Sequence, residues 1–173
     1  MHTKYELTDE TIDIGCRILY RIRALRSFSN IKAGELGGYV ESKNNLDHRG
    51  NCWVGGNARV YENAWLCDNC LVFENACVYG NTWVGRDARI YGNARVFGNV
   101  WVCGHSTVCE DAWVFGTARV FDDARVSGNT WVLGTSNIGK NIKLESGVWN
   151  QQIFLKDKYY LISTTLKKVS LIW

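Results

Sequence analysis

Val54-Gly-Gly-Asn-Ala-Arg-Val60-Tyr-Glu-Asn-Ala-Trp-Leu66-Cys-Asp-Asn-Cys-Leu-Val72-Phe-Glu-Asn-Ala-Cys-Val78 carries the fold in its spacing. An aliphatic residue returns at every sixth position, and the series continues as Val84, Ile90, Val96, Val102, Val108, Val114, Val120, Val126, Val132, Ile138 and Leu144. Two residues before each stands a mostly small residue, from Cys52, Ala58 and Ala64 through Ala112, Ala118 and Ala124 to Thr130, Ser136 and Ile142. Positions two apart share one face of a strand, so both columns point inward. Three residues after the aliphatic the chain usually places Asn or Asp, as at Asn57, Asn63, Asn69, Asn75, Asp87 and Asn93. These types accept left-handed backbone angles and bond their own turn. Each hexad therefore reads as a short strand followed by a corner. A helical or heptad reading fails, because a period of six matches neither 3.6 nor 3.5. The absence of proline suits a coil whose rungs need nearly every backbone N–H.

A second period tells how many hexads close one turn. Among outward residues just after the aliphatic, Tyr61, Tyr79, Phe97, Phe115 and Leu133 are spaced by 18, and just before it so are Trp65, Trp83 and Trp101. Three hexads per coil give a triangular prism with like side chains stacked at about the 4.8 Å strand spacing. The expected fold is all-β, a single-stranded parallel β-helix of one structural domain. Its parts are an N-terminal β cap (1–35), a hexapeptide-repeat β-helix (36–147) and a C-terminal antiparallel β cap (148–173).

The tract resembles the hexapeptide-repeat, left-handed β-helix superfamily, also called the bacterial transferase hexapeptide group. The resemblance covers roughly residues 36 to 147, and it alone implies the left hand, since right-handed crossovers are the general preference. The sequence departs from that pattern after the aliphatic, where Tyr, Phe or Cys often replace Gly or an acidic residue, so the outer surface is more aromatic than is usual there. The opening Tyr5-Glu6-Leu7-Thr8, with Leu19-Tyr-Arg-Ile-Arg-Ala-Leu25 and Leu36-Gly-Gly-Tyr-Val-Glu-Ser42, is similar to phage- and prophage-type members of the group. That narrower likeness brings no activity with it.

The ends do not repeat. Residues 17–25 alternate as a strand with Arg17, Arg21 and Arg23 on one side, and are expected to cap the first coil. Eight residues rather than six separate Leu46 from Val54, which marks an irregular first coil. Residues 152–155, 159–163 and 167–172 read as the strands of the C-terminal cap. Open solenoid ends expose apolar core and unpaired strand edges, so caps are required.

The bulk numbers bound the function without naming it. At 173 residues and 46% apolar composition the chain holds one substantial core. A formal charge of +3 is far from the basic character of a nucleic-acid binder, so neither nucleic acid nor a membrane is an expected partner. The N-terminal stretch is polar and no run reaches the roughly 20 apolar residues of a membrane span, which makes the cytoplasm the expected compartment. The seven Cys have no short secreted framework around them and are expected to be mostly reduced.

Chemistry is sparse. The family resemblance implies an acyltransferase that binds an acyl-CoA thioester between subunits of a trimer and uses a His as general base. No loop interrupts the hexads between Val54 and Leu144, and the candidate bases are His48, in the first-coil irregularity, and His105, at a corner usually held by Asn. A zinc site needs a converging ligand set, and Cys67 and Cys70 fall on opposite sides of the strand register. No metal is therefore expected. Cys52 and Cys70 share the inward column on neighbouring coils and read as buried filler, or as a disulfide under oxidation.

The surface is the strongest signal. One face carries Arg59, Tyr61, Tyr79, Arg95, Phe97, Trp113, Phe115 and Trp131, and the next carries Trp65, Trp83 and Trp101. Contiguous outward aromatics mark an interface or act as ladders that stabilise neighbouring rungs. Where Arg meets aromatic residues, a planar anionic ligand could stack and pair at once. The leading expectation is a non-catalytic oligomeric scaffold with no cofactor, a homo-oligomer and by resemblance a trimer, that binds itself and a protein or small anionic ligand. The alternatives are the acyl-CoA-dependent acyltransferase and an inhibitor or nucleotide-sequestering protein acting on host defence.

Overall fold

The computed structural model describes residues 3–150. The antiparallel strands expected over 152–172, and His2, lie outside the described residues.

The hexads form a β-solenoid of about six coils. Each coil contributes three two-residue strands, and each strand pairs in parallel with the one 18 positions on. Arg59 pairs with Cys77, Cys77 with Arg95, and Arg95 with Trp113 on the first face. Trp65, Trp83, Trp101, Arg119 and Asn137 run along the second. Trp53, Leu71, Arg89, Thr107, Arg125 and Lys143 run along the third. The aliphatic column from Val54 to Leu144 is buried throughout, and Ala58, Ala76, Ala94, Ala112 and Ala124 pack beside it. Val suits this position because its branched Cβ fills the narrow bore, each buried side chain contributing about 1.5–3 kcal/mol. Polar members of the small column satisfy themselves at the corner: Thr82 Oγ1 donates to Tyr79 O at 2.7 Å and Ser136 Oγ to Leu133 O at 2.7 Å.

The corners hold the rungs in register. Asn63 Nδ2 donates to Asn81 Oδ1 at 2.9 Å, and Asn81 Nδ2 to Asn99 Oδ1 at 3.0 Å, which makes a ladder of amides up one edge. Several acidic residues take the left-handed conformation beside a glycine of the next coil. Glu74 has φ +61°, and its Oε2 accepts the Gly92 N–H at 2.9 Å. Glu62 and Glu110 do the same for Gly80 and Gly128.

The irregular first coil is present. Val40 pairs with Val60 and Leu46 bridges to Leu66, each 20 positions apart, so the two extra residues before Val54 bulge at a corner without breaking the inward column. Strands β1 (Tyr5–Asp13), β2 (Ile18–Ala24) and β3 (Leu36–Val40) form an antiparallel meander, and β3 passes it on to the first face through its parallel pairing with Arg59–Val60. The three arginines of this cap meet carboxylates: Arg17 with Glu41, Arg21 with Glu10 and Arg23 with Glu6. At the far end, Lys143–Trp149 pairs in parallel with Arg125–Val132, with one residue fewer than the usual 18 separating Val132 from Trp149. Trp149 is buried at that end of the core. No helix among the described residues is long and apolar enough to cross a membrane.

Candidate functional site

The first face is an aromatic ladder. Strand pairing places like side chains one rung apart, and their rings stack: Tyr61 on Tyr79 at 4.8 Å, Tyr79 on Phe97 at 4.9 Å, and Phe97 on Phe115 at 5.1 Å, all within 4° of parallel. Beside it Trp113 stacks on Trp131 at 5.3 Å, and the Arg95 guanidinium lies 4.9 Å from the Trp113 ring centre. These stacks use up the ring faces of Tyr79 and Phe97. A planar ligand cannot intercalate there without unstacking the ladder, and what the rings offer outward is their edges.

The tryptophans of the coils differ in how far they fold against the prism. Trp53 is followed by Gly55 and is buried, and Trp83 is followed by Gly85 and is half-buried. A Cβ on Gly85 would sit 2.7 Å from Trp83 Cζ2, so the indole folds down into the space glycine leaves and lies against Cys67 Sγ as well. Cys67 points outward as its register requires, yet is covered for this reason. Trp65, Trp101 and Trp131 stand 44%, 49% and 44% exposed, whereas Trp113, followed by Phe115, is half-buried between Arg95 and Trp131. Gly85 sets Trp83 apart, whereas a reading of the Trp column alone groups Trp65, Trp83 and Trp101 as equivalent.

The two histidines of the described residues sit in different settings. His48 stacks on Tyr5 at 4.6 Å, and its Nδ1 accepts the Lys4 backbone N–H at 3.2 Å. With Nδ1 engaged as acceptor, the neutral ring carries its proton on Nε2, so no free lone pair remains to take a substrate proton. Burial, reinforced by Lys4 and Lys43, holds its pKa below the ordinary histidine value. His105 stands 72% exposed at its corner, with Nδ1 3.8 Å from Asp87 Oδ2. An amide ladder runs up to this corner: Asn51 donates to Asn69 and Asn69 to Asp87. His105 occupies the equivalent position one coil later, near that carboxylate but beyond hydrogen-bond distance.

All seven Cys are free. Burial pushes the Cys67 thiol up to about 11 and the Cys70 thiol well above its ordinary value, opposite to what a thiolate nucleophile requires. Among the described residues no group of three or more His, Cys, Asp or Glu could hold a metal ion.

Two clefts open on the aromatic faces. One, of about 360 Å³, lies between the β1–β2 turn and the first face, and Arg17, Arg59, Cys77, Arg95, Tyr61 and Tyr79 line it. The other, of about 350 Å³, lies on the second face, where the Arg119 guanidinium sits 5.1 Å from the Trp101 ring centre. Sequence reasoning found Arg59, Tyr61, Tyr79 and Arg95 as a set but missed the roof, because the turn is brought over the face by pairing between segments that share no period.

A comparison with curated proteins finds no match. A family model described as the YdcK beta solenoid repeat matches residues 88–104 and 118–134, two stretches of about one coil each that begin 30 residues (118 minus 88), or five hexads, apart. The chain is a β-solenoid repeat protein, and its central coils are similar to that repeat.

Proposed function

We propose that this protein is a non-catalytic, oligomeric β-solenoid scaffold that binds copies of itself through its tryptophan-bearing faces, and also binds a protein partner or a small anionic ligand. The observation that carries this reading is the exposure of Trp65, Trp101 and Trp131, three large side chains that stay nearly half exposed even where Trp113 or Arg119 packs on one side. Outward indoles of this kind concentrate at the centres of protein interfaces. The engagement of His48 Nδ1 and the raised Cys67 and Cys70 thiols argue in the same direction, since they take these three residues out of consideration as base or nucleophile.

The finer reading is a hexapeptide-type solenoid of the phage or prophage kind, assembling as a trimer in the cytoplasm. The six-residue period supports the first part. A cyclic trimer joins two different patches on each subunit, and the exposed tryptophans fall on two faces, Trp131 on the first and Trp65 with Trp101 on the second. Sedimentation velocity of the wild type beside Trp101→Ser and Trp131→Ser tests the proposal. It expects an oligomer that dissociates in the variants, and a wild type that sediments as a monomer at tens of micromolar would contradict it.

A further inference from the structure

Two guanidinium groups on the first face have no carboxylate within salt-bridge distance among the described residues. Arg59 and Arg95 flank Cys77 in strand register, so their backbones are about 10 Å apart, two strand spacings. Cys77 is the smallest side chain in a column that otherwise runs Tyr39, Arg59, Arg95, Trp113 and Trp131, and its size leaves a notch between the two arginines. The β1–β2 turn covers the notch with Ile14, Cys16 and Arg17, and the volume of about 360 Å³ falls in the range of small-molecule sites.

The charges inside do not cancel. Glu62, the carboxylate of the lining, is already engaged: Oε1 lies 3.4 Å from Arg17 Nη2, and Oε2 accepts the Gly80 N–H at 2.8 Å. Arg17 is held further by Glu41 at 2.7 Å, which fixes the roof in place. Arg59 and Arg95 remain as the unpaired positive charges. Arg95 rests against the Trp113 ring, an arrangement that leaves the N–H edge of the guanidinium open for a forked pair of hydrogen bonds.

The walls suit an anion better than a ring. Tyr61 and Tyr79 spend faces on one another and present edges, the positive side of the aromatic quadrupole. Burial pushes the Tyr61 phenol up to about 12, so its hydroxyl stays protonated and can donate. Burial likewise raises the Cys77 thiol, which therefore adds no negative charge between the arginines.

We propose that this cleft binds the phosphate or diphosphate group of a small molecule, gripped by Arg59 and Arg95 across Cys77. This deepens the reading of the protein as a binder of a small anion and does not depend on its self-association, so the two fail separately: sedimentation reads assembly and titration reads the cleft.

The test is calorimetric titration of the full chain with inorganic pyrophosphate and, separately, inorganic phosphate, at low ionic strength where charge pairing is least screened. The expected result is saturable binding at one site per chain. Arg59→Ala and Arg95→Ala should each weaken it roughly tenfold to a hundredfold, the range for losing hydrogen bonds to a charged group. Cys77→Phe keeps both arginines but fills the notch, and should abolish binding, whereas Arg49→Ala, outside the cleft, should bind as the wild type does. Thermal melts of each variant separate lost binding from lost folding, and Arg59→Lys, which keeps the charge but not the fork, gives a second reading of the same contact. Tighter binding of pyrophosphate identifies a diphosphate, tighter binding of phosphate a monophosphate, and either supports the site. Absence of binding to both anions, or binding that survives Arg59→Ala and Cys77→Phe in folded protein, would overturn it.

Discussion

Gly85 lies directly beneath the Trp83 indole, so closely that a Cβ at residue 85 would stand 2.7 Å from Trp83 Cζ2 and 3.1 Å from Cys67 Sγ. The space left by that one missing methyl is what lets the Trp83 indole lie down over Cys67. Trp101, with Cys103 in the corresponding place, stands out.

Gly85→Ala is accordingly expected to lift Trp83 off the surface. Strain of this kind costs roughly 1–3 kcal/mol, read as a lower urea midpoint. Tryptophan emission should shift to the red, and Cys67, now uncovered, should react faster with a thiol reagent when its peptide is followed by mass spectrometry. Unchanged labelling of Cys67 would show that the indole does not shield it.

Lys4 plugs the N-terminal end of the bore. It is fully buried, its Nζ donates to the Cys52 carbonyl at 2.8 Å and lies 3.2 Å from Cys52 Sγ, and Phe28 offers its ring at 5.3 Å. Lys4→Ala removes the donor and leaves a buried carbonyl unpaired, for a loss of about 1–3 kcal/mol. Hydrogen exchange should localise the loosening to the first coil, around Leu46 to Val54. Wild-type stability and exchange in this variant would mean that the plug is dispensable.

His48 makes the same end sensitive to acid. Its folded pKa is depressed below the ordinary 6.5, chiefly by burial. The unfolded chain then binds the proton more readily than the folded one, so stability is fully present above pH 6.5 and declines as pH falls below it. His48→Gln, which cannot titrate, should flatten that part of the curve. Equal slopes for wild type and variant between pH 7 and pH 5 would remove His48 from the account.

The parts of the structure legible in sequence are those the repeat enforces. A residue such as Val96 must be aliphatic because a coil lies above and below it, and the demand recurs every six residues. The stacking of Tyr79 on Phe97 was legible for the same reason, through the period of 18. What escaped reading lies where the period stops. Lys4 meets Cys52 across 48 residues, and Arg17 meets Glu41 across 24, with nothing in either spacing to announce the contact. The cleft roof is built from such contacts, so Arg59 and Arg95 were visible as residues while the space between them was not. His105 was legible as a corner residue, but its place one coil beyond Asp87, at the end of an amide ladder, needs the coils laid out in space.

The central claim, self-association without catalysis, meets its most direct test in a native mass spectrum of the protein purified gently from cell lysate. The account predicts an oligomer, with a trimer as the finer expectation, that carries no CoA-sized adduct. A monomer, or an oligomer that retains an acyl-CoA and turns it over, would contradict it.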